Sequence, residues 1–231
     1  MKASELVTVL DGLIKKIDET GLLPQKNKNQ FLGELTSIKT EYENVEVPED
    51  LKEVYTSLYK KGRELQKLFK SDENAKELVD KIKYYIRYLK AARADFKGES
   101  SYIGKYFRVF VITSVLFLAL SPQYFGFVLA AVMFVPIFMG IKGIRKRSYH
   151  GFIMSLAVIP VGIMTAAYWL KYGIYVMNNY QEAIQSIMQS TGRGAGFSQM
   201  LATVPPILGI VLFAAAFMQG FRAYKSKDLF V

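Results

Sequence analysis

The chain has no cysteine and only one histidine, His150. Without cysteine, disulfide bonds and thiolate chemistry are excluded, and a single histidine cannot build a histidine-rich metal site. His150 follows the basic run 145–147 and has no acidic neighbour to orient its imidazole. A hydrolase needs a nucleophile paired with a base, or a metal cluster. We therefore expect no catalytic residue, no metal and no cofactor, and the chain is not predicted to be an enzyme.

Acidic residues are scarce in the C-terminal part of the chain. Residues 1–100 hold 18 of the 20 Asp and Glu residues and 19 of the 30 Lys and Arg residues. The remainder holds 2 acids and 11 cations, and these cations lie at the ends of long apolar runs. This pattern is typical of membrane spans. The net charge of +10 is therefore attributed to membrane orientation, and no nucleic-acid partner is expected.

The apolar runs predict four transmembrane helices, at about 104–120, 125–141, 152–170 and 201–221. Each has about 17–21 residues, so as an α-helix it spans about 26–32 Å, against a hydrocarbon core of about 30 Å. A turn is expected at 121–124 and an outer loop at 171–200, which contains a short surface helix or the end of the third span. The predicted fold class is all-α: a four-span helical integral membrane domain at 104–231, joined by a junction at 98–103 to the N-terminal residues.

Positive charge predicts the orientation of these spans. With four crossings, only Lys171 and Arg193 lie on one side of the membrane, and ten cations lie on the other: Lys97, Lys105, Arg108, Lys142, Arg145, Lys146, Arg147, Arg222, Lys225 and Lys227. Lys and Arg accumulate on the cytoplasmic side of membrane proteins. We therefore expect a multi-pass protein of a prokaryotic cell membrane with both termini in the cytoplasm. The charged first 20 residues lack the apolar core of a cleavable signal peptide.

Helical periodicity in residues 1–97 predicts a separate, water-soluble unit. Apolar residues recur every three or four positions in four segments, for example at Leu6, Leu10 and Leu13 in the first. Short connections between the segments favour a small cytoplasmic antiparallel helical bundle that folds alone. Ser71 and Asp72 are predicted to cap the fourth helix.

Aromatic residues occupy more than one face of the third and fourth of these helices: Tyr55, Tyr59, Phe69, Tyr84, Tyr85 and Tyr88. A core requires only one apolar face, and tyrosine is enriched at protein interfaces. We therefore predict a partner-docking surface formed by Tyr55, Tyr59, Tyr84 and Tyr88. Burial of these residues in the core is the alternative.

Two further groups of residues near or within the spans are candidates for a function. The first is a basic collar predicted to contact anionic lipids: Lys105, Arg108, Lys142, Arg145, Lys146, Arg147, Arg222 and Lys225. Setting the topology alone also explains this collar. The second comprises the hydroxyls of Thr113, Ser155 and Thr165, which are candidates for lining a pore. Their alternative role is to bond to their own helix or to hold helices together.

These features favour a non-catalytic membrane interaction or accessory subunit whose cytoplasmic helical domain docks a partner. The expected partners are membrane lipids and either another membrane or cytoplasmic protein or a second copy of the chain. The alternative is an oligomeric channel or small-solute transporter with a path between subunits. No Asp, Glu, Lys or Arg lies near the centre of a span, which disfavours ion-coupled transport.

The charge asymmetry makes a testable prediction about topology. Single cysteines can be placed in this cysteine-free chain at Gln123, Gln185, Lys60 and Lys227 and exposed to a membrane-impermeant thiol reagent on intact cells. We expect labelling at Gln123 and Gln185 only, because Lys60 and Lys227 are predicted to face the cytoplasm. Labelling of Lys60 or Lys227 without Gln185 would contradict the orientation.

Overall fold

The computed structural model describes residues 3–69 and 74–231, which are predominantly helical. They form two compact units. The N-terminal unit contains the residues up to Ser101 together with the C-terminal segment Asp228–Val231, and the apolar unit contains Tyr102–Lys227. Four of the α-helices lie in the N-terminal unit: α1 (Ser4–Glu19), α2 (Gln25–Glu43), α3 (Lys52–Leu68) and α4 (Ala75–Phe96).

The helices of the N-terminal unit share one hydrophobic core. In α1 the buried residues include Leu6, Leu10, Leu13 and Ile17, which recur at the spacing of one helical face and are inaccessible to solvent. Helix α1 packs against α2 and α3, and α4 packs against the same two helices. The periodic apolar residues of all four helices therefore form this core.

Helix α4 is capped at Asn74, whose side-chain oxygen accepts a hydrogen bond from the Lys76 backbone N–H at 3.1 Å. An Asn at this position satisfies one of the free N–H groups of the first turn. The predicted caps, Ser71 and Asp72, lie outside the described residues.

Polar side chains also connect the helices around this core. The Gln66 side-chain amide of α3 donates to the Val9 carbonyl of α1 at 2.7 Å, within the buried interior. Gly62 allows α3 to come close to its neighbours, because a β-carbon there would overlap Val9 and the Tyr85 hydroxyl. The Gln66 amide thus pairs a buried backbone carbonyl, and Gly62 leaves room for the close packing of α3 against α1 and α4.

Ion pairs join α2 to α4. Lys90 Nζ lies 2.7 Å from a Glu34 carboxylate oxygen, and Arg93 pairs with Glu41. Partial burial of Glu34 raises its pKa, but the hydrogen bonds from Lys90 and Gln30 outweigh burial, so the pKa of Glu34 is lowered overall. The carboxylate is therefore held in its charged form at neutral pH.

The apolar unit contains six α-helices: α5 (Ser101–Leu120, which begins at the boundary), α6 (Pro122–Arg145), α7 (Tyr149–Leu156), α8 (Val158–Asn178), α9 (Tyr180–Thr191) and α10 (Ala195–Ser226). Helices α7 and α8 form one nearly continuous rod over Tyr149–Asn178. With this rod counted once, four helices are long and apolar enough to cross a membrane: Ser101–Leu120, Pro122–Arg145, Tyr149–Asn178 and Ala195–Leu229.

Helices α5 and α6 reverse direction within a few residues. Pro122 opens α6, and Gly126, with φ 63°, interrupts its first turns. This left-handed conformation suits glycine, which has no β-carbon to clash. The reversal lies at the predicted turn, 121–124, and the irregular backbone extends to Gly126.

Helices α6 and α7 contact each other through their backbones. Gly143 of α6 and Gly151 of α7 face one another so closely that a β-carbon on either would overlap the Cα atom of the other. Glycine pairs allow such close packing between apolar helices. The short connection at 146–148 is compatible with this hairpin.

The segment between the third and fourth spans is more ordered than a loop. Helix α8 continues to Asn178, so the third span extends as one of the two sequence alternatives predicts. Helix α9 then packs through Ala183 against Val176 of α8 and Ala202 of α10. Gly192 ends α9 with φ 64°, and α10 begins at Ala195. Only residues 192–194 therefore connect α9 to α10.

Two buried side chains provide a test of the N-terminal core. Leu35 of α2 and Ile82 of α4 are both fully buried. In the fragment 1–97, Leu35→Ala and Ile82→Ala should each lower the free energy of unfolding by about 2–5 kcal/mol, because each leaves a cavity. Chemical denaturation followed by circular dichroism measures this loss.

The matched control is Thr36→Ala, on the exposed side of α2. We expect it to change the stability by less than about 0.5 kcal/mol. A fragment without a cooperative transition would show that these helices require the rest of the chain to fold.

Candidate functional site

The exposed face shared by α3 and α4 carries a cluster of Lys61, Tyr84, Tyr88 and Ser57, which we call the tyrosine–lysine surface. The Tyr84 and Tyr88 rings stack with centroids 6.3 Å apart. Lys61 Nζ lies 4.2 Å from the Tyr88 centroid and 5.0 Å from that of Tyr84. The Tyr88 hydroxyl donates to Ser57 Oγ at 3.3 Å. An ordered aromatic pair with a cation is therefore presented on the outside of the N-terminal unit.

The four tyrosines predicted to dock a partner do not share one environment. Tyr84 is 42% exposed, whereas Tyr59 and Tyr88 are half-buried. Tyr55 is only 3% exposed, and its hydroxyl accepts a hydrogen bond from the Leu6 backbone N–H at 3.2 Å. Burial raises the pKa of Tyr55. Tyr55 must therefore be removed from the predicted surface, because its ring fills the core between α1 and α3.

Tyr85, like Tyr55, is a core residue. It is buried, its hydroxyl donates to the Leu58 carbonyl at 3.1 Å, and burial raises its pKa. Two successive aromatic residues of α4 thus differ in environment, since Tyr85 lies in the core and Tyr84 is exposed to solvent. Only the three-dimensional packing separates Tyr84 from Tyr85.

The predicted basic collar is assembled at one end of the apolar unit. Arg222 of α10 donates to the Lys105 carbonyl of α5 at 2.7 Å, and the Arg145 guanidinium of α6 lies 5.1 Å from the Phe107 ring centroid. These contacts join the start of α5 to the ends of α6 and α10. Side chains of the collar are exposed at Lys105, Arg108, Lys142, Arg145, Lys146 and Lys225, and half-buried at Arg147 and Arg222.

The hydroxyls predicted as pore-lining lie inside the apolar unit. Thr113 and Thr165 each donate to the carbonyl four residues earlier, Val109 at 2.9 Å and Val161 at 2.8 Å. Both side chains are inaccessible to solvent, as is Ser155. A hydroxyl that donates to a carbonyl of its own helix has its hydrogen-bond donor satisfied without a ligand. The arrangement thus matches the alternative role predicted for these residues.

A buried polar cluster joins α5, α7 and α10, and sequence reasoning missed two of its members. The Tyr106 hydroxyl lies 2.5 Å from Ser155 Oγ, and Ser155 Oγ donates to the Phe152 carbonyl at 2.6 Å. The Gln219 amide donates to the Ser155 carbonyl at 2.9 Å. The signal for Gln219 was present in the sequence as a lone amide in the apolar run 201–221.

The carbonyl that Gln219 binds lies at the interruption between α7 and α8. Pro160 has no N–H to donate to the preceding turn. At Ala157 the backbone N–H bonds the Met154 carbonyl, three residues away, at 3.3 Å. Pro160 therefore leaves the Leu156 carbonyl, four residues earlier, without its usual helical donor. The Gln219 amide donates to the neighbouring Ser155 carbonyl and so joins α10 to this irregular turn.

In the part of the chain that the structure describes, no cluster of three or more His, Asp or Glu side chains could hold a metal ion. His150 is exposed at the start of α7. Comparison with known proteins finds no family model, no curated protein and no solved structure that matches the chain. The candidate site therefore rests on this geometry alone.

The role of Gln219 can be tested by substitution. Gln219→Leu keeps the approximate size of the side chain and removes the donor to the Ser155 carbonyl. We expect a loss of stability of about 1 kcal/mol, because the substitution removes a buried hydrogen bond between α10 and α7. Thermal unfolding in mild detergent, followed by Trp169 fluorescence, measures the change in Tm.

Gln199→Leu is the matched control, since Gln199 lies on the exposed surface of the same helix. Its Tm should remain that of the unmodified protein. An equal Tm for Gln219→Leu would show that the amide does not stabilise the interruption.

Proposed function

We propose that this chain is a non-catalytic interaction or accessory subunit of a membrane assembly. It crosses a prokaryotic cell membrane four times with both termini in the cytoplasm. The N-terminal unit is then a cytoplasmic helical bundle that docks a partner, either a protein of the assembly or a second copy of the chain. The apolar unit anchors that bundle in the membrane.

The tyrosine–lysine surface is the observation that carries this proposal. Tyr84 is exposed and is not part of the core that Tyr55 and Tyr85 help to fill, and the half-buried Tyr88 packs against that core at its edge. Exposed tyrosines with restricted rotamers lose little entropy on binding and are frequent at the centres of interfaces. Lys61 orders both rings before any partner arrives, which lowers the cost of association further.

The basic collar supports the membrane part of the proposal. Lys and Arg beside a span attract anionic headgroups with about 1 kcal/mol per residue near the membrane surface. Eight such residues around one end of the apolar unit would hold that end at the cytoplasmic headgroup level. The collar then sets the orientation and recruits anionic lipid, with no need for a soluble ligand.

The transport alternative has less support. A path between subunits would need polar side chains on the surface of the apolar unit, whereas Thr113, Ser155 and Thr165 are buried within it. The exposed residues of α6 are instead large and apolar, such as Phe127, Val128 and Val132. Lipid chains or a further protein cover such a face more readily than water does.

Partner docking can be tested by removing the exposed ring. Tyr84→Ala should weaken association with a co-purifying partner by about 1–2 kcal/mol, because exposed aromatic anchors contribute most at interfaces. The full-length protein is purified in mild detergent, and the co-purified proteins are quantified by mass spectrometry. The Tm should change little, since Tyr84 lies outside the core.

Tyr180→Ala serves as the control, because Tyr180 is an exposed tyrosine of α9, in the other unit. It should retain the partner. If no protein co-purifies, and if the purified protein in liposomes passes ions at a rate that depends on Thr113 or Thr165, the docking function is wrong and the transport alternative replaces it.

A further inference from the structure

Charge is distributed unevenly among the helices of the N-terminal unit. Helix α3 carries five cations and two acids, and α4 carries six and three. Helix α1 carries two cations and four acids, and α2 carries three of each. The nearly neutral N-terminal sequence therefore folds into a unit whose α3–α4 side is basic.

Ion pairs neutralise much of this charge, but not on α3. Two of the three acids of α2, Glu34 and Glu41, pair with cations of α4, and Asp11 of α1 lies 2.7 Å from Lys39 of α2. Within the described residues, no carboxylate lies at ion-pairing distance from any of the five α3 cations: Lys52, Lys60, Lys61, Arg63 and Lys67. Helix α3 thus presents positive charge that the described part of the unit does not neutralise through ion pairs.

Four of these cations form a single line. Lys52, Lys60, Arg63 and Lys67 are exposed, and with Thr56 they recur at spacings of four, four, three and four residues. This is the spacing of one helical face, and it lies opposite the buried face of α3. At a rise of 1.5 Å per residue the line is about 22 Å long. We call it the α3 basic stripe.

A groove runs between the basic stripe and the tyrosine–lysine surface. Its volume is about 660 Å³, and its lining residues are Lys52, Glu53, Thr56, Ser57, Lys60, Lys61 and Glu64. Ser57 and Lys61 contact Tyr88, so the groove and the tyrosine pair are continuous. A bound segment would therefore meet mainly cations within the groove and could reach the tyrosine pair beyond its edge at Ser57 and Lys61.

We propose that the α3 groove binds an acidic segment of a partner protein, an inference that rests on the docking function proposed above and names the chemistry of its partner. Carboxylates spaced along a helix or an extended chain would neutralise the basic stripe, and apolar side chains would cover the tyrosine pair. Complementary charge of this kind directs both encounter and register.

A protein segment fits the groove better than an anionic membrane surface does. Glu53 and Glu64 lie within the groove among its lysines. A surface of uniformly negative headgroups would repel these two carboxylates, whereas a mostly acidic segment can place a donor or a basic side chain beside each. The mixed pattern therefore favours a partner whose side chains vary along the chain.

Binding of a defined peptide tests the inference. The full-length protein is held in phosphatidylcholine nanodiscs, and the probe is a fluorescein-labelled helical peptide of Glu, Ala and Leu, about 18 residues long, with Glu at every third or fourth position. The same peptide with Gln in place of Glu is the reference. Fluorescence anisotropy should show tighter binding of the Glu peptide, and about 1 M salt, where the Debye length is about 3 Å, should abolish the difference.

A matched pair of variants locates the site. K60Q/R63Q removes two charges from the basic stripe, and K15Q/K26Q removes two exposed charges from α1 and α2. We expect about tenfold weaker binding of the Glu peptide to K60Q/R63Q and no change for K15Q/K26Q, because exposed ion pairs act locally. Equal weakening by both variants would reduce the effect to net charge and overturn the inference.

Two further outcomes separate this inference from the docking function. If a partner co-purifies in a Tyr84-dependent manner and is retained by K60Q/R63Q, docking stands and the acidic chemistry is wrong. If the Glu peptide does not bind, but K60Q/R63Q weakens binding of the detergent-solubilised protein to phosphatidylglycerol vesicles, the stripe contacts lipid instead of a protein segment.

Discussion

The backbone of the apolar unit must satisfy its own hydrogen bonds, and most of the structure follows from this constraint. An unpaired N–H or C=O group in a medium without water costs several kcal/mol. Regular helices avoid that cost, and the hydroxyls of Thr113 and Thr165 add bonds to the same helical carbonyls. Where Pro160 disturbs the pattern, the Gln219 amide reaches across from α10 to the Ser155 carbonyl. The one irregular turn of the third span is therefore also the place where helices are joined by polar side chains.

The N-terminal unit meets a different constraint, because water can solvate its outer surface. Its helices need only bury one face each, which leaves the other faces open to carry charge. Ion pairs such as Lys90–Glu34 use part of that charge to join α2 to α4. The cations of α3 have no such role within the described unit, and they stand beside an ordered pair of tyrosines. A surface that contributes little to the fold is where a binding function can be accommodated at low cost in stability.

Periodicity and apolar length were enough to predict the four long apolar helices, because both properties depend only on residues close together in the chain. The same reasoning placed a turn at 121–124, and for 171–200 it offered two alternatives, a short surface helix or the end of the third span. The structure has α8 continuing to Asn178 and a separate short helix, α9. It missed the extent of α9, since a helix of 12 residues with a mixed face is stabilised by packing, through Ala183 and Ile184, more than by its own propensity. It also assigned Tyr55 to a surface, because periodicity does not reveal how far a core extends around α3.

Composition and the positions of apolar residues determined that the chain lacks thiol chemistry and a histidine cluster, that its excess of positive charge is concentrated at the ends of apolar runs, and that those runs are long enough to cross a membrane. These properties follow from residue counts and from positions along the chain, so they can be read without knowing how the chain folds. Tertiary structure alone decided which tyrosines are buried, that Gln219 meets the Ser155 carbonyl 64 residues away, and that Glu34 and Glu41 of α2 pair with α4, whereas no carboxylate of the described residues pairs with an α3 cation. Each of these depends on distances between helices, which the order of residues along the chain does not specify.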